Sequence, residues 1–206
     1  MIGSAVPTVP LRRPFPPSWP YAAVLLLGVV FVLDAVWSAT LAGSGALLNA
    51  VMDEPAHLAT CGICLLALAA VRRRPPATPF IVAALVGSTA IDLDHVPAFL
   101  GSHALTEGTS RPYAHSLLTL ALLLILAVAW RRRAGRLIFL GLAFGVSTHL
   151  LRDAGTGNGV PLLWPLADGS AQIPYLVYFA ILCGLAAISV WAPEGRARPR
   201  PGVSPG

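Results

Sequence analysis

Nine carboxylates and five histidines are all that this 206-residue chain offers for acid–base or metal chemistry, and most stand in short runs. Asp53-Glu54-Pro55-Ala56-His57 spaces Glu54 and His57 three apart, so on a helix they share a face. Asp92-Leu93-Asp94-His95 puts three ligand-type side chains into four residues. His115 stands at the start of an apolar run, and His149 and Asp153, four apart, project from one face of another. Singly, each reads as a cap or an interfacial anchor; Asp53, for example, suits a helix N-cap. Together they form a set of imidazoles and carboxylates, the donors preferred by zinc, manganese or iron. The expected metal ligands are His57, Asp94, His95, His115, His149 and Asp153. Six exceed one tetrahedral ion, so two or more are expected: zinc first, with manganese or magnesium as alternatives. Asp92 and Glu54 are candidates for a bridging or general-base carboxylate. Arg111 and Arg152, beside these motifs, either pair with the carboxylates or use their planar fork to hold a substrate anion.

The segments that must position these residues are unusually apolar. Only 11 % of residues are charged and 56 % are hydrophobic, with a mean hydropathy of +0.73. A soluble domain carries about 25 % charged residues, so the composition excludes an ordinary cytosolic domain, a disordered chain and a nucleic-acid binder built on basic faces. Six apolar runs approach bilayer length: 21–41, 56–71, 79–93, 115–130, 137–151 and 173–191. The expected architecture is all-α and polytopic. A six-helix membrane domain over 20–192 is flanked by a Pro-rich disordered segment, 1–19, and an Arg/Pro-rich disordered tail, 193–206. Pro55 is expected in the first turn of the second helix, where a missing N–H costs nothing.

All 14 basic residues are arginine, and 12 fall in clusters before the first run, after the second, between the fourth and fifth, and after the sixth. With six spans these clusters share one side, which the positive-inside rule makes cytoplasmic. Both termini are then cytoplasmic in a multi-pass protein of the inner or plasma membrane. All five histidines and seven of the nine acids collect at the opposite, outer ends; Asp34 and Glu194 lie elsewhere. Ionisable groups at membrane depth are costly and usually mark function. His103 reads as a solvated loop residue. Cys61 and Cys64, inside an apolar helix without a partner pair, read as packing sulfur. The Gly155–Leu166 stretch reads as an interfacial turn or a lid over the metals.

Three runs carry a resemblance: Ile91-Asp92-Leu93-Asp94-His95, Arg111-Pro112-Tyr113-Ala114-His115-Ser116-Leu117, and His149-Leu150-Leu151-Arg152-Asp153 followed by Gly159-Val160-Pro161-Leu162-Leu163-Trp164-Pro165-Leu166. In order, they resemble the YdjM-like membrane-bound metal-dependent hydrolases, which carry Asp-Leu-Asp-His, Arg-Gly-x-Thr-His-Ser and His-x-x-x-Asp with a Trp-Pro loop. The family's early helix-start histidine is matched by His57. The likeness spans roughly Asp53 to Leu166. Ser110 stands where the family often has histidine, and Pro112 and Ala114 replace the Gly and Thr of the middle motif. The resemblance implies a likeness to zinc-dependent phospholipase C and hence phosphoester hydrolysis, on a lipid or lipid-linked substrate at the outer leaflet.

The expected chemistry is metal-assisted hydrolysis. Metals lower the pKa of a bound water, Asp92 or Glu54 acts as base, and Arg111 or Arg152 steadies the developing charge. Membrane lipids are the expected partners, with no nucleic acid; the sequence leaves the oligomeric state open. One alternative is a magnesium-dependent isoprenoid-diphosphate enzyme (phosphatase, transferase or cyclase). The other is a non-enzymatic divalent-metal binding or transport protein.

Overall fold

The computed structural model describes residues 18–38, 46–107, 109 and 111–191. Residues 1–17 of the expected disordered segment 1–19, the tail 193–206 and Ser110 lie outside them; Trp19, the last residue of that expected segment, opens the first helix. The described residues are helical, joined by turns, with one isolated antiparallel bridge between Val160 and Ala171. The helices are α1 Trp19–Val36, α2 Ala46–Arg72, α3 Thr78–Ala90, the short α4 Val96–Phe99, α5 Leu117–Ala129, α6 Arg133–Thr156 and α7 Tyr175–Trp191; a 3-10 turn, Ile91–His95, links α3 to α4. Among the described residues, three helical stretches are long and apolar enough to cross a membrane: Asp53–Arg72, Thr78–Ala98 and Arg133–Thr156. Three more are apolar but shorter: Tyr21–Val36, Leu117–Ala129 and Tyr175–Trp191.

Pro55 does not open α2, as the sequence suggested, but sits inside it. Proline there removes one backbone N–H and its hydrogen bond to the preceding turn, which weakens the helix at the very turn that carries Asp53 and Glu54. Asp53 is correspondingly no cap: its carboxylate reaches across to α6. The third apolar run also continues past its expected end, because 91–95 tightens into the 3-10 turn and α4 follows directly.

Close backbone contact between α3 and α6 organises the bundle. A Cβ on Gly145 would collide with the Ala84 carbonyl, one on Gly141 with the Phe80 carbonyl, and one on Gly87 would lie 2.7 Å from Leu142 O. Small residues on both sides let two apolar helices approach this closely without a hydrophobic driving force. A second core, formed by Ala23, Val30, Ala59, Ile63, Tyr178, Leu182 and Ala186, joins α1, α2 and α7. The outward faces of α1, α5 and α7 leave large apolar side chains uncovered, among them Leu25, Val128 and Leu176.

Helix direction then sorts the charges. α2 runs from Asp53 and His57 to Arg72, while α6 runs from Arg133 to His149 and Asp153. At 1.5 Å per residue, His57 and Arg72 are roughly 23 Å apart along the axis. The acids and histidines therefore occupy one end of these two helices and the arginine clusters the other.

Candidate metal centre

Helix α6 supplies the centre's spine, with His149, Arg152 and Asp153 on adjoining faces, all buried. The tight α3–α6 contact lets His149 Nδ1 reach Ser88 O at 2.9 Å. Ser88 lies in the last turn of α3, just before the 3-10 turn. Only a protonated nitrogen can bond a carbonyl, so Nδ1 carries a hydrogen and the neutral ring's lone pair is on Nε2. Around Nε2 stand Asp153 Oδ2 at 3.0 Å, His115 Nε2 at 3.2 Å and Asp92 Oδ1 at 3.5 Å.

The remaining ligand-type residues extend from that point in two directions. Inward, the His57 ring stacks on His149 with centroids 3.9 Å apart, and its Nε2 lies 3.5 Å from Asp153 Oδ1 and 3.4 Å from Asp53 Oδ2. Outward, His115 meets Asp92 at 3.1 Å through Nε2 and Asp94 at 3.2 Å through Nδ1. His95 Nδ1 stands 3.3 Å from Asp92 and 3.1 Å from Asp94. All six residues expected to bind metal are thus drawn together. With Asp92, expected as a bridging or general-base carboxylate, they form three overlapping triads among the described residues: His57, His149 and Asp153; Asp92, His115 and His149; Asp94, His95 and His115.

Protons alone serve this cluster badly. Both ring nitrogens of His57 and Asp153 Oδ1 are buried without a hydrogen bond, as is Glu54 Oε2, and Asp153 Oδ2 has only an ion pair to Arg111. Such groups are expensive unless something compensates them. Two imidazole nitrogens 3.2 Å apart share at most one hydrogen. Donor atoms on a tetrahedral zinc at about 2.1 Å stand roughly 3.4 Å apart, close to the 3.0–3.5 Å separations around His149 Nε2. The buried orphan atoms and the donor chemistry both fit a divalent ion.

The two arginines differ. Arg111 pairs once, Nη1 to Asp153 Oδ2 at 2.9 Å, and its other terminal nitrogen lies where a Cβ on Gly157 would intrude. Arg152 is fully engaged: Nε and Nη2 donate to Asp53 Oδ1 at 3.1 and 2.7 Å, Nη2 lies 2.9 Å from Asp34 Oδ1, and Nη1 donates to Tyr178 at 3.3 Å. Tyr178 also meets Thr60 at 2.8 Å, and Tyr175 donates to Asp34 at 3.1 Å. Sequence reasoning passed over the two tyrosines, although their spacing at the start of the last apolar run puts both toward one side. It also left Asp53 outside the ligand set. His103 is exposed and apart from the centre. The 159–166 loop is anchored by Leu117 N donating to Leu162 O at 2.9 Å and by Trp164 stacked on Tyr113 with centroids 4.3 Å apart. It thereby braces the turn that carries Arg111 and His115.

The family model described as YdjM inner membrane protein matches residues 52–201, well over half the chain and every residue of this centre. No curated protein and no solved structure matches.

Proposed function

The chain belongs to the YdjM inner membrane protein family, and from that premise we propose that it is a six-span, metal-dependent hydrolase acting on a phosphoester of a lipid or lipid-linked substrate at the outer leaflet. The observation that carries the reading is the convergence of three ligand-type atoms, Asp153 Oδ2, His115 Nε2 and Asp92 Oδ1, on His149 Nε2, the lone-pair nitrogen of a ring whose other nitrogen is committed to Ser88. Four imidazoles, each with one lone pair to give, support two ions. His57, His149 and Asp153 would hold an inner one, and His95, His115, Asp92 and Asp94 an outer one. Imidazole-rich donors favour zinc, with manganese as the alternative.

A divalent ion bound there would polarise a phosphoryl oxygen and make water acidic at neutral pH. The chain's own residues do the rest. Asp92 stands 3.1–3.5 Å from three histidines, a better post for a ligand than for a free base. Glu54, a neighbour of Asp92 with a buried unpartnered oxygen, is the stronger candidate to take the proton of the attacking water. Arg111, with donors to spare, would hold the non-bridging phosphoryl oxygens as charge grows on them. Arg152 has no such freedom and acts through Asp53, which it orients beside His57. Placing the arginine-rich ends in the cytoplasm gives cytoplasmic termini and an outer centre.

Elemental mass spectrometry of detergent-purified protein, beside Asp94→Ala and His149→Ala variants, tests the centre. We expect at least one zinc or manganese per chain, diminished in both variants, with phosphodiester hydrolysis lost in parallel. Metal-free purified protein with full hydrolytic activity in both variants would overturn the proposal.

A further inference from the structure

A cavity of about 440 Å³ opens beside the metal centre, lined by Phe31, Asp34 and Trp37 from α1 and its end, Arg111, Arg152 and Tyr175. Its volume suits a small ligand. Its charges are unevenly shared. At one end Arg111 carries donors beyond its single bond to Asp153, and Gly157 leaves room for the guanidinium. At the other end Asp34 and Asp53, which also lines the cavity, share the one guanidinium of Arg152. That end holds a surplus negative charge in surroundings screened little by salt. Phe31, Trp37 and Tyr175 add aromatic faces on the Asp34 side, and Tyr175 bonds Asp34 directly. A carboxylate among aromatic rings is a favourable place for an ammonium group.

We propose that this cavity binds a phosphate ester that also carries an alkylammonium group, its phosphate on Arg111 toward the metal centre and its ammonium at Asp34 among Phe31, Trp37 and Tyr175. The assignment deepens the hydrolase reading and rests on it for the orientation of the phosphate. A zwitterion matches both ends; a plain phosphate would leave the surplus charge at Asp34 unmet, and a simple amine would leave Arg111 unmet. The same chemistry occurs in free amino-alcohol phosphates and in the head groups of phospholipids.

The test is equilibrium binding to metal-loaded, detergent-purified protein, with phosphoethanolamine, glycerol phosphate and inorganic phosphate as probes. Phosphoethanolamine is expected to bind at least about tenfold more tightly than glycerol phosphate, a difference of roughly 1.4 kcal/mol. Asp34→Asn is expected to bring the two within about twofold, and Trp37→Leu to reduce the preference about threefold, both with metal content retained. Trp37→Leu decides the matter if Asp34→Asn fails to fold. Equal binding of the two probes by the native protein, or a preference that survives in every folded variant, overturns the proposal. Vesicles of phosphatidylethanolamine against phosphatidylglycerol identify the source: preference among vesicles assigns a lipid head group, and preference among soluble probes alone a free ester. Selective binding with no hydrolysis of any phosphoester would remove the hydrolase reading and leave the cavity's assignment standing. Hydrolysis without head-group preference would do the reverse.

Discussion

Two buried polar clusters stand side by side at one end of the bundle, and they are built on opposite plans. Around Arg152, donors and acceptors match: one guanidinium meets two carboxylates and a tyrosine, and the tyrosine meets Thr60. Around His149 Nε2 the acceptors outnumber the hydrogens: His57 and Asp153 Oδ1 have no hydrogen bond, and Asp153 Oδ2 has one cation, Arg111, among several acceptors. In a low-dielectric interior an unpaired polar atom costs more than a satisfied pair returns. The first cluster is therefore satisfied in its hydrogen bonds, with one carboxylate charge more than its guanidinium. The second becomes complete with a cation. The difference separates two arginines that look equivalent in the sequence: Arg152 fastens α1, α2 and α7 to α6, and Arg111 stands ready for a ligand.

Metal removal should separate the clusters most sharply. Asp153→Asn keeps the side chain's shape and takes away a charge from the inner triad, so bound metal should fall by about one ion or more per chain and hydrolysis by roughly 1,000-fold. Chelation should lower the midpoint of thermal unfolding of the native protein, since a ligand of the folded state stabilises it by mass action. The same chelator should barely move Asp153→Asn. Equal chelator sensitivity in both proteins would make the inner triad a plain buried network like its neighbour. Arg152→Gln should behave oppositely. It leaves Asp34 and Asp53 without their shared cation, at a cost of about 3 kcal/mol, and should unfold at lower temperature with and without chelator. Because Asp53 borders His57 at 3.4 Å, metal affinity should also weaken, by about tenfold. A stable Arg152→Gln protein would show that the clamp holds nothing.

How much of this could be read in the sequence follows from what each feature depends on. The ligands were legible because short spacings fix them: four residues on α6 force His149 and Asp153 onto one face, and Asp-x-Asp-His cannot disperse its side chains. The helical class was legible from hydropathy for the same reason, since an apolar run of that length has few other solutions in a membrane. The course of α2 was not. Pro55 is as compatible with a first turn as with a weakened interior, and what lies before it decides between them. Partners across the bundle were equally hidden. Asp34 is separated from Arg152 by 118 positions, and nothing local in either says that they meet. The distinction between Arg111 and Arg152 depends wholly on such long-range pairing, so each reads equally as a carboxylate partner or an anion-binding residue until its partners are known.

Arg111→Gln should test that distinction from the other side. Its side chain is 18 % exposed and its one ion pair is to Asp153, whose charge a bound metal would also neutralise, so in metal-loaded protein unfolding temperature and metal content should change much less than in Arg152→Gln. Hydrolysis should fall about 100-fold, in line with loss of a single charge-stabilising donor. A loss of stability comparable to that in Arg152→Gln would show that both arginines are structural.

The smallest expected effect belongs to Tyr178→Phe, and it tests whether the satisfied cluster is truly separate from the metal. The phenol hydroxyl accepts from Arg152 and meets Thr60, and the ring is fully buried. Removing the oxygen leaves the packing intact and takes away two neutral or singly charged hydrogen bonds, for a cost of about 1–2 kcal/mol. Arg152 keeps both carboxylates, so Asp53 stays beside His57. Thermal unfolding should shift modestly, while elemental analysis should return the native metal content and hydrolysis should stay within about twofold of the native rate. Loss of metal from Tyr178→Phe would mean that the two clusters are one network, with the tyrosine supporting His57 through Arg152 and Asp53.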